Sequence, residues 1–190
     1  EWDSDATGAT STRATAVTSA PTASRLTLIS TPDRHLVFFG TETTIGTTST
    51  QDDMYIRWSD QEDINTYTPT ATNTAGTQRI ADGTRIVGAI RGRDAIYVWT
   101  DNALFVMRFV GAPFTFSFQQ VGTGCGLIGK NAAVEVDGSA YWMSENGFFR
   151  YTGKLESLPC LVEDYVFDDL NTVPRNHINA GLNNLFGEVT

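Results

Sequence analysis

The run Gly124-Cys125-Gly126-Leu127-Ile128-Gly129 has the spacing that lets a backbone approach a pyrophosphate. That chemistry needs a helix directly after the glycines, so that its N-terminal amides hold the phosphate. The next residues are KNAAVEVDGSAYWM, which alternate as a strand and turn at Asp137-Gly138. Glu145 stands at a tempting offset but belongs to a repeated tryptophan segment. The run is therefore read as a glycine-rich loop between structural units, and no cofactor is expected. The acid pairs Asp52-Asp53, Glu163-Asp164 and Asp168-Asp169 have the residue types of glycosidase carboxylates or calcium ligands. Adjacent residues on a strand point to opposite faces, so solvated surface acids are the expectation. The Asp-box of sialidase propellers is absent.

His35 and His177 are the only histidines, and neither has metal-ligand spacing. No Gly-x-Ser-x-Gly elbow supplies a nucleophile. A Cys125–His177 dyad is the remaining arrangement, and nothing at either position favours it. Cys125 and Cys160 lack the CxxC spacing of a zinc site. They can bridge once, or stay as two buried thiols, which is the expectation. The densest basic run, Arg85, Arg91 and Arg93, is spread over a strand and its turn and reads as ordinary turn solvation. No catalytic or metal-binding residue is expected, and the protein is read as non-enzymatic.

The elements that would position these residues emerge from composition and periodicity. The 190 residues suffice for a sizeable core, and 41% hydrophobic with 11% aromatic residues exclude general disorder. Thirteen basic against 22 acidic residues give a net charge of −9, which argues against a protein that grips nucleic acid by its phosphates. No apolar run is long enough for a membrane-spanning helix. The start, EWDSDATGAT, lacks Met and a signal pattern, which reads as processing or as an excerpt of a longer chain. No glycosylation sequon occurs.

Of 27 threonines, 22 fall in the first 100 residues, and they mark polar segments. Residues 1–24 read as a Thr/Ser/Ala-rich connector from a preceding unit, with Trp2 as its trace. Residues 41–50 and 65–78 read as long polar loops. Elsewhere the period is two. Phe114, Phe116 and Phe118 alternate with Thr115, Ser117 and Gln119; Phe105, Met107 and Phe109 share a face opposite Leu104, Val106 and Arg108. Asp101-Asn102 and Glu145-Asn146-Gly147 sit where hairpin turns belong. After Pro159, apolar residues at helical spacing predict one short helix over 161–170.

Trp58, Trp99 and Trp142 recur at separations of 41 and 43 residues, each succeeded by a hydroxyl-bearing residue or Met-Ser and then an acid. A period of 40–45 residues holding four short strands predicts an all-β chain of β-propeller-like blades. The units are 25–83, 84–130 and 131–177, with a further one starting at 178, and the three tryptophans are the expected repeat anchors. Three blades do not close a propeller, so the remainder is expected in a longer polypeptide or a neighbouring subunit.

Several runs together resemble tail proteins of tailed bacteriophages. They are Arg57-Trp58-Ser59-Asp60-Gln61-Glu62-Asp63, Asn73-Thr74-Ala75-Gly76, Val98-Trp99-Thr100-Asp101-Asn102-Ala103-Leu104, Gly122-Thr123-Gly124-Cys125-Gly126, Tyr141-Trp142-Met143 and Val162-Glu163-Asp164-Tyr165-Val166-Phe167. The similar proteins are virion structural components of short-tailed phages, of the tail nozzle, tubular tail B or tail-hub type. The resemblance covers about 25–190. It implies a homo-oligomeric, sixfold ring in the virion tail beneath the portal and adaptor, in contact with tail fibre or spike proteins. Genomic DNA would pass through it during ejection without being specifically bound, and no catalytic residue carries over. An acidic lining would suit such a conduit, because it repels phosphates. The alternatives are a glycan-binding or glycosidase propeller, which needs carboxylates converging in one cleft, and a propeller-type protein-interaction module of the WD-repeat kind, whose Gly-His element is missing here.

Overall fold

Apolar residues alternating with polar ones between Asn, Asp and Gly turns favour short strands that pair with their sequence neighbours. The computed structural model is built that way and describes residues 16–31, 33–170 and 177–190. The first sheet is an antiparallel meander of β1 (Leu26–Ser30), β2 (His35–Phe39), β3 (Tyr55–Trp58) and β4 (Gly76–Arg79). The second is β5 (Ile86–Arg91), β6 (Ile96–Thr100), β7 (Ala103–Gly111) and β8 (Thr115–Thr123). The third is β9 (Ala133–Val136), β10 (Ser139–Ser144), β11 (Gly147–Tyr151) and β12 (Leu155–Leu158). A short helix α1 (Glu163–Asp168) and a hairpin of β13 (Leu182–Asn183) and β14 (Glu188–Val189) come last. The chain is thus all-β, with four-stranded antiparallel sheets and one short helix. Among the described residues no helix is long and apolar enough to cross a membrane. Trp2 and residues 1–15 of the expected connector lie outside the described residues.

The second sheet is apolar on both faces. Ile96, Val98, Phe105 and Met107 join Val37, Phe39, Ile56 and Trp58 of the first sheet in one buried cluster. The alternate residues Tyr97, Trp99, Leu104 and Val106 join Ala133, Ala140, Trp142 and Tyr151 of the third in another. Each large aliphatic or aromatic side chain so buried stabilises the fold by about 1.5–3 kcal/mol. The sheets meet most closely through their opening strands, β1 beside β5 and β5 beside β9.

Four details depart from expectation. The helix is shorter than 161–170, and Leu161, Val162 and Tyr165 are exposed. Val162 at the N-cap offers no side-chain acceptor, and Asp168 and Asp169 sit at the end where the helix dipole disfavours acids. Phe167 reaches back to the ring of Phe148. β4 begins within the expected loop 65–78, because its Gly-Thr-Gln-Arg sequence has no apolar alternation. The face shared by Phe114 and Phe116 is broken, since a bulge at Val110 shifts the β7–β8 register and turns Phe114 out to solvent while Thr115 is buried. Finally, the polar loops fold back onto the first sheet, where Thr41, Glu42 and Tyr67 are buried. Tyr67 packs edge-on against Phe38, and burial pushes its hydroxyl up to about 12.

Leu104→Ala empties the second interface and Met107→Ala the first. Each is expected to cost about 2–5 kcal/mol in urea unfolding, with a single transition retained in both variants.

Candidate functional site

The three tryptophans are all buried between sheets, but not at one repeated position. Trp58 is on the third strand of the first sheet and packs edge-on against Phe116 of β8, 5.2 Å between centroids. Trp99 and Trp142 are on the second strands of their sheets and face each other across one interface at 5.3 Å. Trp99 therefore points towards the third sheet and Trp142 back towards the second. The indole N–H of Trp58 donates to the Thr74 carbonyl at 2.9 Å, and that of Trp142 to the Cys125 carbonyl at 2.8 Å. Trp58 lies over Gly76, its cross-strand partner, where any Cβ would fall 2.3 Å from the indole.

The glycine-rich run is an inter-sheet connection that enters strand β9, not a helix. Three of its amides are already used: Cys125 N–H donates to Asn102 O, Leu127 N–H to Thr100 O and Ile128 N–H to Met143 O, each at 3.1 Å. Cys125, Leu127 and Ile128 are buried between the second and third sheets. Gly126 permits that approach, since a Cβ there would sit 2.3 Å from the Asp101 carbonyl. This loop serves packing.

The remaining candidates are dispersed. Cys125 is sealed in the core, where burial pushes its thiol up, whereas His177 is exposed. Cys160 is half-buried, and neither cysteine forms a disulfide. Asp52 accepts from the Arg79 guanidinium at 2.6 Å, and Asp53 is held by Arg25 through two bonds of 2.7 and 2.5 Å. Those acids are cross-links, not a joint site. Burial raises the Asp52 carboxyl, but the bonds from Arg79 and the Met54 amide outweigh it and leave the group below the ordinary range. Arg85 precedes β5 whereas Arg91 ends it, so the basic run is split between opposite ends of the sheet. Among the described residues no cluster of three or more His, Cys, Asp or Glu is arranged to hold a metal ion.

Two buried polar clusters escape a reading of local spacing. His35 is fully buried, with Nδ1 3.0 Å from Asp33 Oδ2 and Nε2 3.0 Å from Thr74 Oγ1. The order carboxylate, imidazole, hydroxyl is that of a nucleophilic triad. However, the Thr74 hydroxyl donates to Asp60 Oδ1 at 2.5 Å, and the imidazole is walled by Phe109 and Phe116 at 5.7 and 5.2 Å. Those bonds hold the Asp60 carboxyl below its ordinary range. With its hydroxyl engaged and its ring enclosed, the cluster is a clamp: it ties the turn before β2, the loop after β3 and the β7–β8 hairpin together. The second cluster centres on Glu42, which accepts from the amides of Thr22 (3.0 Å), Ala23 (2.8 Å) and Gly46 (2.6 Å) and from the Thr22 hydroxyl. It fastens residues 22–23 of the connector to the first sheet. The only signals for either cluster in the sequence are single acids and hydroxyls far apart, since their partners are supplied by pairing between distant segments.

An apolar cavity of about 430 Å3 opens on the outer face of the third sheet, lined by Tyr141, Met143, Phe148, Leu158, Ile178 and Val189. Its lining is apolar and places no set of polar groups around a reacting atom.

No model of a known protein family matches the chain, and no curated protein matches it.

His35→Ala leaves the buried Asp33 carboxylate with one fewer partner and is expected to cost on the order of 3 kcal/mol, whereas His177→Ala changes stability by less than about 0.5 kcal/mol in the same denaturant titration. Burial raises the Glu42 carboxyl, but the bonds from Thr22, Gly46 and Ala23 more than offset this and leave it below the ordinary glutamate range. A carboxyl depressed in the folded state contributes stability above its unfolded value and loses it as pH falls through the folded value. The thermal midpoint should therefore hold near neutrality and drop below about pH 4.3, and Glu42→Gln should lower the neutral value and flatten the drop.

Proposed function

We infer that the chain is a structural, non-catalytic segment of a β-propeller-bearing bacteriophage tail subunit that contributes to the wall of a DNA-ejection conduit. The observation that carries this reading is the succession of three four-stranded antiparallel meanders, stacked face to face with their opening strands β1, β5 and β9 side by side. A propeller needs that geometry: successive sheets, one after another along the chain, with first strands nearest a common axis. The hairpin β13–β14 beside the apolar outer face of the third sheet is the start expected of a further blade, and Ala180 N–H already donates to Asn131 O at 2.8 Å.

Two further features agree with a passive role. The sequence candidates for chemistry are taken up in packing, in ion pairs or in loop connections, or stand apart from one another. Charge supports passage without retention. Asp82, Asp101 and the acids of α1 make no ion pair with a cation among the described residues. Surplus negative charge repels phosphates over roughly a Debye length, about 8 Å at physiological salt.

Native mass spectrometry with negative-stain imaging tests the reading. A ring of several copies with a central opening is expected, together with no retention of duplex DNA near physiological salt. A monomer at micromolar concentration, or duplex binding that weakens steeply with added salt, overturns it.

A further inference from the structure

Neither polar neighbour of the His35 ring has a proton to offer it. A hydroxyl has one proton to give, an ionised carboxylate none, and a ring nitrogen facing an acceptor must carry its own. Thr74 Oγ1 lies 2.5 Å from Asp60 Oδ1, a separation that two oxygens hold with a proton between them. Asp60 Oδ1 also accepts the Thr74 N–H at 2.8 Å and sits below its ordinary carboxyl range, so that proton comes from the hydroxyl. The Gln61 N–H is shared, reaching Asp60 Oδ1 at 2.9 Å and Thr74 Oγ1 at 3.0 Å. Thr74 Oγ1 thus turns a lone pair to Nε2, 3.0 Å away, and Nε2 must donate. On the other side of the ring, Nδ1 faces Asp33 Oδ2 at 3.0 Å, while Asp33 Oδ1 accepts from the Ser30 hydroxyl at 2.9 Å. Nδ1 must donate as well.

We propose that His35 is held as an imidazolium between Asp33 and the Thr74–Asp60 pair, and that its second proton latches the loop after β3 and the β7–β8 hairpin to the first sheet. A charge away from water is tolerated where it is paired and hydrogen-bonded. Both conditions are met, since His35 is fully buried and neither Asp33 nor Asp60 pairs with an arginine or lysine among the described residues. Arg34 and Glu62, which adjoin the cluster in sequence, pair with each other at 2.7 Å in solvent. The hairpin meets the imidazole with the rings of Phe109 and Phe116, which carry no charge. It is tied to the same cluster through the Thr74 carbonyl, which accepts from the Thr115 hydroxyl at 3.0 Å. Loss of one ring proton sets lone pair against lone pair at one of the two 3.0 Å contacts. A proton held more tightly in the folded chain adds stability that is complete below the unfolded histidine value, about 6.5, and is lost as pH rises through the folded one. The latch is independent of a role in a phage tail.

Nitrogen NMR of the imidazole in the full chain tests it, with His177→Ala leaving His35 as the single histidine. At about pH 7.5, a unit above the ordinary histidine value, both ring nitrogens should carry protons. Asp60→Asn should lower the pH at which one is lost by about one unit or more, as removal of a neighbouring opposite charge does. Amides of the loop 59–75 and of the hairpin end 109–115 should lose hydrogen-exchange protection in step with that loss, ahead of those in β6 and β10. His35→Gln, which removes the charge, should abolish this pH dependence. A ring nitrogen without its proton at that pH, whether the proton has gone to Asp33 or to water, overturns the proposal. So does an unshifted titration in Asp60→Asn, or protection lost uniformly across the sheets. The ring of the unaltered cluster decides the matter should either cluster variant not fold.

Discussion

Alternate side chains of β6 and β7 reach two different neighbours, and this double burial governs the molecule. Ile96, Val98, Phe105 and Met107 fill the interface with the first sheet; Tyr97, Trp99, Leu104 and Val106 fill the one with the third. A strand buried on both faces has no solvent side to fix its register by hydrophobicity alone. Register here is set by the short turns and by size matching across each interface. The Trp99–Trp142 and Trp58–Phe116 contacts are the clearest of these matches. Neither outer sheet offers the second one a polar alternative, so the three form a single packed stack.

The strands from 86 to 158 are legible in the sequence because apolar alternation and turn residues agree there. The alternation in IVGAIR, IYVWT and the segments after Asp137-Gly138 corresponds closely to β5, β6 and the third sheet. The first sheet is less legible for a physical reason. Its strands are separated by the segments 40–54 and 59–75, and β4 is an edge strand whose register comes from Trp58 and Tyr55, not from apolar residues of its own. The same long segments explain the tryptophan spacing. Near-equal separations along the chain fall on a third strand in the first sheet and on second strands in the other two, so similar sequence around each Trp does not make the positions equivalent.

Polar chemistry is legible only as what it is not. The glycine run lacks a helix after it, and in the fold the amides of Cys125, Leu127 and Ile128 are taken up by neighbouring carbonyls. The groups that do converge, His35 with Asp33, Thr74 and Asp60, are drawn from separate stretches of the chain. Local spacing cannot reveal such a set, because strand pairing creates it. Burial then makes each of these groups costly to leave unpaired, which is why the polar loops of the first sheet are held in place despite their length.

The meander topology bears on how the chain acquires its shape. Every sheet is completed within one uninterrupted run of sequence, so pairing proceeds between near neighbours at small entropic cost. The second and third sheets close through turns of a few residues, whereas the first must close segments 40–54 and 59–75 before its strands meet. A ribosome would release this slower sheet first and then the second, whose exposed apolar side is the template on which the first can settle. The order in which the sheets pack would then run against the order of synthesis.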